Sequence, residues 1–239
     1  MNARRPAVTA LMVHGMMIAA LWMLGPIWGG AAVAYTVVYK QPVDVRFPGG
    51  YSSQNAPNSF GDFLQAFDDF TLTKDASISE VEWEGSYSDV SIGGISRFKV
   101  TFWSDIAGLP GNALQTFDIA GNASEQFVGG GGNDFIEFHY ATRLPSLFLA
   151  SADTTYWLSV QPTLDFPPQW FWRDGTGGDN RSAERIGSDT SQVITDRAFS
   201  LSAPEPPTLA LFATGSIVLL VATRRRPKRA NEIPQPGEI

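Results

Sequence analysis

The chain has 239 residues and a formal net charge of −7, and it contains no cysteine. The absence of cysteine excludes disulfides, thiolate chemistry and Cys-based zinc sites. The charge is unevenly distributed, because residues 35–203 hold ten basic and 21 acidic residues, a net charge of −11. Such an acidic body lacks the Lys/Arg footprint that binding to nucleic acid requires, so we expect no nucleic acid partner.

Residues 1–34 have the layout of a secretory signal peptide. Arg4 and Arg5 form a positive start, an apolar stretch follows, and Ala32-Val33-Ala34 fits an A-x-A cleavage site. The signal peptide predicts export of the residues that follow, with Tyr35 as the new N-terminus. The apolar stretch is long, so an uncleaved N-terminal membrane helix is the alternative.

Residues 35–203 alternate with a period of two, which is typical of strands rather than helices. Strands are predicted at residues 67–73, 77–88, 96–105, 113–119, 134–140, 154–162 and 199–202. Turn signals rich in Gly, Pro, Asn and Asp separate them, and Ser59–Phe67 is predicted to form at most one short helical turn. The sequence therefore predicts an all-β domain at residues 35–203, a β-sandwich or jelly roll.

The candidate catalytic residues are the glutamates of the second predicted strand and a single histidine. Glu80, Glu82 and Glu84 share one face of the strand, where they either bind a cation or form the solvated side of a sheet. His139 is the one histidine of residues 35–203, and the patterns G-x-S-x-G and H-E-x-x-H are absent. We expect no enzymatic activity, although a carboxylate pair for glycoside hydrolysis stays open, because its members come from distant strands.

Two loops carry oxygen ligands of the kind that suits Ca²⁺. Gly129–Glu137 matches the glycine-rich pattern of RTX calcium loops with Asp134 as the carboxylate, but the chain has a single copy where RTX proteins stack several. Arg173–Ser182 holds Asp174 and Asp179 without the spacing of an EF-hand. A structural Ca²⁺ is thus a hypothesis for these carboxylates, solvated loops are the alternative, and no other cofactor is expected.

The segment from Pro167 to Gly175 contains the best candidates for ligand binding. If it is extended, Trp170 and Trp172 share one face and Phe171 lies on the other. Exposed indoles stack on the apolar faces of sugars, so the pair predicts carbohydrate binding, with exopolysaccharide as the candidate partner. The alternative is that one or both indoles fill the core of the sandwich.

The end of the chain combines a Pro-Glu-Pro motif, an apolar run and a basic cluster. A membrane helix is predicted at residues 207–223, and its apolar run from Pro207 to Ala222 is roughly 24 Å long at 1.5 Å per residue. This is slightly short of a ~30 Å hydrocarbon core, but flanking arginines can snorkel. A buried core helix is the alternative and fits poorly, because the run has no polar stripe.

The basic cluster predicts the orientation of that helix. The cluster consists of Arg224, Arg225, Arg226, Lys228 and Arg229. The positive-inside rule places it, and the polar tail at residues 230–239, in the cytoplasm, with residues 35–203 outside. The signal peptide predicts the same topology independently.

The order of parts from Pro204-Glu205-Pro206 through the apolar run to the basic cluster resembles the PEP-CTERM sorting signal of exopolysaccharide-producing bacteria. The resemblance implies recognition by an exosortase, a membrane-embedded cysteine transpeptidase, and processing near the Pro-Glu-Pro motif. Pro207 departs from the family, which more often has Ser or Thr there, and the tail beyond Arg229 is longer than usual.

The middle of the chain is also similar to a β-sandwich domain that recurs in front of such tails. The shared segments include "DDFTLTKDASISEVEWEGSYSD", "FKVTFWSDIAGLPGNAL", "ADTTYWLSVQP" and "RAFSLS". The resemblance implies a fold and a location but no reaction. The sequence therefore predicts an exported protein of the cell envelope or extracellular matrix with a structural or surface role. Carbohydrate binding is the alternative, and a glycoside-directed hydrolase is the third hypothesis.

Overall fold

The computed structural model describes residues 34–46, 49–88, 94–130 and 135–205. The predictions that lie outside these residues concern the signal peptide up to Val33, Asp134, Pro206, the helix at residues 207–223, the basic cluster and the polar tail. The described residues contain strands, turns and bends but no helix. In this part of the chain, accordingly, no helix has the length and hydropathy needed to cross a membrane.

Fifteen strands follow one another in the described residues. They are β1 Tyr35–Gln41, β2 Gly50–Ser52, β3 Gln54–Ala56, β4 Gly61–Thr71, β5 Ala76–Tyr87, β6 Arg97–Ile106, β7 Leu109–Ala120, β8 Gln126–Gly130, β9 Ile136–Ala150, β10 Thr155–Thr163, β11 Trp170–Gly175, β12 Ser182–Ile186, β13 Asp189–Val193, β14 Asp196–Arg197 and β15 Phe199–Pro204. The all-β prediction is confirmed.

Sheet 1 is organised around the long strand β5. On one side β5 pairs with β9, from Ala76 opposite Ala150 to Tyr87 opposite Ile136. On its other side β5 pairs first with β15 and then with β11. β1 continues the sheet beyond β15, β8 continues it beyond β9, and β2 and β14 pair with β11. All of these pairs are antiparallel.

Sheet 2 has the strand order β13-β12-β4-β3-β10-β6-β7, with an additional pairing between β4 and β10. Its pairs are antiparallel except for the short contact of β3 with β10, where Asn55 lies opposite Thr163. The hairpin from β6 to β7 turns at Ala107 and Gly108, both at positive φ. Glycine adopts this conformation without the steric cost that a Cβ brings.

Aromatic side chains from the two sheets meet in one main core, so the arrangement is a β-sandwich. Trp83 of sheet 1 packs edge-on against Phe98 of sheet 2 with ring centroids 4.9 Å apart. Phe148 of sheet 1 stacks on Phe102 of sheet 2 with ring centroids 4.0 Å apart. These contacts join the inner faces of the two sheets, and burial of such large apolar side chains is the main source of stability in a fold of this kind.

The predicted strands are confirmed in the described residues, but the helical turn predicted at Ser59–Phe67 is wrong. Strand β4 begins at Gly61 and runs through this segment. Its backbone groups pair with β3, β12 and β10, so the ladder satisfies them without a helix. The strands that were not predicted are β1, β2, β3, β8, β12, β13 and β14. Of these, β2, β3 and β14 carry too few residues to show a period of two.

Candidate functional site

A shallow cleft lies on the face of sheet 1 that points away from the core. We call it the outer cleft; its volume is about 150 Å³. Its polar lining consists of Lys40, Gln41, Glu82, Glu84, His139 and Ser200. Along β5 the glutamates alternate with the buried Val81 and Trp83, so the glutamates face outward.

The register of four strands brings the polar side chains of the outer cleft together. In one row Lys40 on β1 lies opposite Ser200 on β15, which in turn lies opposite Glu82 on β5. In the next row Glu84 on β5 lies opposite His139 on β9. Directly paired residues project from the same face of a sheet, with Cβ atoms about 4.5–5.5 Å apart. Residues that are distant in the sequence therefore form one polar surface.

Each glutamate of the outer cleft is held by one partner. The Ser200 hydroxyl donates to Oε2 of Glu82 at 2.9 Å. Oε1 of Glu84 lies 2.9 Å from Nδ1 of His139. This hydrogen bond raises the pKa of His139 above its ordinary value of 6.5, against the opposing effect of partial burial. Glu84 thus favours the protonated ring of His139, which directs its Nδ1 proton at the carboxylate.

Several polar groups of the outer cleft have no partner among the described residues. These groups are Nζ of Lys40, Nε2 of His139, Oε1 of Glu82 and Oε2 of Glu84. The Lys40 ammonium and, when His139 is protonated, its Nε2–H are donors, whereas the two carboxylate oxygens are acceptors. The cleft can therefore both donate hydrogen bonds to a ligand and accept them from it. The sequence indicated the glutamates and His139, but nothing in it pointed to Lys40 or Ser200.

Trp170 and Trp172 lie in the core, not on the surface. They share one face of β11, as the alternation predicts, but both are 0% exposed. The indole N–H of Trp170 donates to the Tyr140 hydroxyl at 3.1 Å, and that of Trp172 donates to the Ala198 carbonyl at 2.9 Å. Their interpretation as a sugar-stacking pair is wrong, because β11 lies between neighbouring strands of sheet 1 and turns these side chains toward sheet 2.

Asp174 and Asp179, the described candidates for Ca²⁺ ligands, each contact an arginine. Asp174 accepts a hydrogen bond from Arg197, and Oδ2 of Asp179 lies 3.2 Å from Nε of Arg181. Across residues 34–46, 49–88, 94–130 and 135–205, no three or more His, Asp or Glu side chains are grouped as metal ligands. Calcium binding stays a prediction, and Asp134 lies outside the described residues.

A buried network of ion pairs, which the sequence did not reveal, lies beside the outer cleft. Arg197 is 0% exposed and contacts both the Asp174 carboxylate and, through its backbone N–H, the Asp68 carboxylate. Burial raises the pKa of Asp68 well above its ordinary value. Arg173 forms a second pair with Glu137. Because unpaired charges are costly to bury, these contacts hold β14 against β4 and β11, and β11 against β9.

Asp68 and Asp69 contact different arginines, because adjacent residues of a strand point to opposite faces of the sheet. Asp69 accepts a hydrogen bond from Arg181 at 3.0 Å, whereas Asp68 faces the backbone of Arg197. Burial, with a smaller contribution from Asp179, raises the pKa of Asp69 to about 6. The two carboxyl groups therefore belong to the structural network and do not form a catalytic pair.

The fold and the site define an all-β, two-sheet domain with a polar cleft on one outer face. The chain belongs to the family described as domain of unknown function DUF7901, whose match spans residues 37–208. The match covers β2 to β15 completely and all but the first two residues of β1. No curated protein matches the chain.

Proposed function

We propose that the protein is exported and held at the cell envelope or in the extracellular matrix, where its β-sandwich has a structural or surface role without enzymatic activity. The proposal combines the signal-peptide pattern, the resemblance of the C-terminal segment to a PEP-CTERM signal and one structural observation. That observation is the meeting of the two ends of the domain in a single β-ladder.

The two ends leave the domain at one corner. Tyr35, the predicted first residue after the leader, lies opposite Pro204, the first residue of the Pro-Glu-Pro motif. The Glu205 N–H donates to the Ala34 carbonyl at 2.8 Å, and the Thr36 hydroxyl lies 3.5 Å from Oε1 of Glu205. The segments that precede Ala34 and follow Glu205 are therefore attached to the sandwich at neighbouring points.

This geometry supports attachment to a membrane. A domain whose ends emerge together folds completely on one side of a bilayer while either end, or both, enters that bilayer. No strand of the sandwich has to open for the two segments to reach the same surface. The Pro-Glu-Pro motif begins at Pro204, which is also the last residue of β15.

The mass of the intact protein in envelope fractions tests this proposal. Cells with an exosortase are expected to contain a chain that starts at Tyr35 and ends near the Pro-Glu-Pro motif. Cells without the exosortase are expected to retain the C-terminal segment. Glu205→Gln is expected to reduce C-terminal processing, whereas Glu238→Gln, in the polar tail, serves as the matched control. A full-length C-terminus in both strains refutes the processing step, and recovery in the cytosol refutes export.

A second candidate function, hydrolysis of glycosides, is favoured by the position of Glu82 and Glu84 in the outer cleft. Alternate residues of a strand have Cα atoms roughly 6.6–6.8 Å apart and share a face. That spacing is compatible with the ~5–9.5 Å separations of glycosidase carboxylates. Release of reducing sugar from a polysaccharide by the wild type, and its loss in both Glu82→Gln and Glu84→Gln, is the result that this function requires. The proposed structural or surface role, in contrast, predicts that the wild type releases no reducing sugar.

A further inference from the structure

We propose that the outer cleft binds one neutral sugar residue, presented singly or at the end of a polysaccharide, through Lys40, Glu82, Glu84 and His139. This site is separate from Trp170 and Trp172, which are buried. It rests on the geometry of sheet 1 and does not depend on export or on processing of the C-terminus.

The first reason is the balance of donors and acceptors around the cavity. Glu82 and Glu84 each offer a carboxylate oxygen, while Lys40 and protonated His139 each offer a donor. A sugar hydroxyl donates one hydrogen bond and accepts others, so neighbouring hydroxyls on a ring need both kinds of partner. Hydrogen bonds in which one partner is charged are roughly twice as strong as neutral ones. The cleft supplies such partners on two adjacent rows of the sheet.

The second reason is charge. Two carboxylates disfavour an anionic ligand, and Lys40 together with the His139 imidazolium disfavours a bare cation. The Lys40 ammonium acts on His139 from β1, and the Glu82 and Glu84 carboxylates act on it from β5. When His139 is protonated, the two positive and two negative charges balance across the cleft while their hydrogen-bonding capacity remains. A neutral, hydroxyl-rich molecule uses that capacity without leaving a charge unpaired.

The third reason is size and the apolar part of the lining. A volume of about 150 Å³ is well below the ~300–1,000 Å³ typical of pockets for drug-sized ligands. It suits a single ring rather than a chain of rings. Pro42 and Val43, which follow β1, add apolar surface at one side of the cleft. The C–H groups of a sugar ring can pack there while its hydroxyls face the charged side chains.

Saturation-transfer NMR on the full-length chain tests this site, with the protein kept in a detergent that has no sugar headgroup. The probes are the methyl β-glycosides of glucose, galactose and mannose, with glucuronate and glucosamine as charged counterparts. Signal transfer is expected to at least one neutral glycoside and to be weaker for the charged sugars. Glu82→Gln, Glu84→Gln and Lys40→Met are each expected to weaken binding about tenfold, the usual cost of losing a hydrogen bond to a charged group.

The chain offers matched controls for these variants. Glu80 lies on the same face of β5 but outside the cleft lining, so Glu80→Gln is expected to bind as the wild type does. Lys74 is exposed in the turn after β4, and Lys74→Met serves the same purpose for Lys40→Met. Melting temperatures show whether each variant is folded.

Three outcomes overturn the inference. They are the absence of binding to every neutral glycoside, unchanged binding in the folded cleft variants, and stronger binding of glucuronate or glucosamine than of the neutral sugars. Sugar binding is measured on the purified protein, so the result does not depend on where the protein is located in the cell. A negative binding result therefore leaves the proposed export untouched.

Discussion

Replacement of Trp170 by alanine distinguishes a core tryptophan from a ligand-binding one. The side chain is completely buried, its N–H donates to Tyr140, and its ring lies 5.7 Å from that of Phe98 in sheet 2. Gly85 packs directly against the indole, so no neighbouring side chain on that side can refill the space. We expect the variant to be strongly destabilised.

The magnitude follows from the area that the indole buries. A tryptophan buries about 150–250 Å², and at about 25 cal/mol per Å² this corresponds to roughly 4–6 kcal/mol. Measured replacements of buried Phe or Trp by Ala cost about 3–5 kcal/mol. We therefore expect Trp170→Ala to lower the free energy of unfolding by about 4 kcal/mol. For a domain of this size, that loss lowers Tm by roughly 8–16 °C.

Thermal unfolding followed by far-UV circular dichroism measures the effect. Phe171→Ala is the matched control, because Phe171 lies between the two tryptophans, is only half-buried and contacts Phe135 on the opposite face of the strand. The control is expected to lose less than half as much stability as Trp170→Ala. A Tm of Trp170→Ala within about 2 °C of the wild type, or a larger loss in Phe171→Ala, refutes the placement of this indole in the core.

Three further substitutions test the packing, the buried charges and the outer cleft. Gly85→Ala places a Cβ 2.6 Å from Cε2 of Trp170. This clash is expected to lower the free energy of unfolding by about 1–3 kcal/mol, and an unchanged Tm contradicts the close packing of Gly85 against the indole. Arg197→Met leaves the partly buried Asp174 carboxylate without the guanidinium that contacts it and is expected to lower the free energy of unfolding in urea at neutral pH by about 3–5 kcal/mol. An unchanged free energy of unfolding shows that this pair adds no stability. The Glu84 carboxylate raises the pKa of His139, so their pair stabilises the fold fully below the unfolded pKa near 6.5, and this stabilisation is lost as pH rises through the folded pKa. The Tm difference between the wild type and His139→Gln should therefore narrow from about pH 6 to about pH 9, and a difference independent of pH refutes the coupling.

Strand β5 shows how much of the fold could be predicted from the sequence. Its alternation assigns Val81 and Trp83 to one face and Glu82 and Glu84 to the other, as the structure confirms. Alternation depends only on the geometry of the local backbone, so it is readable without knowledge of the partner strands. Strands too short to alternate, such as β2 and β14, leave no such pattern and were missed.

Trp170 and Trp172 show where prediction from the sequence ended. Their common face was predictable, but whether that face meets sheet 2 or solvent depends on the packing of sheet 1 against sheet 2. The same limit applies to the burial of Arg197. Its carboxylate partners lie on β4 and β11, and no local pattern links those strands to it.

The sequence alone establishes the period of the strands, the faces on which their side chains lie, and the acidic charge of residues 35–203. Only the tertiary structure brought Lys40, Ser200, Glu82 and His139 into one cleft, and only it placed Tyr35 beside Pro204. The reason is that the neighbours of a strand are selected by long-range pairing and by packing of the two sheets. These contacts join residues far apart in the chain, whereas the period of a strand is set by each residue and its immediate neighbours.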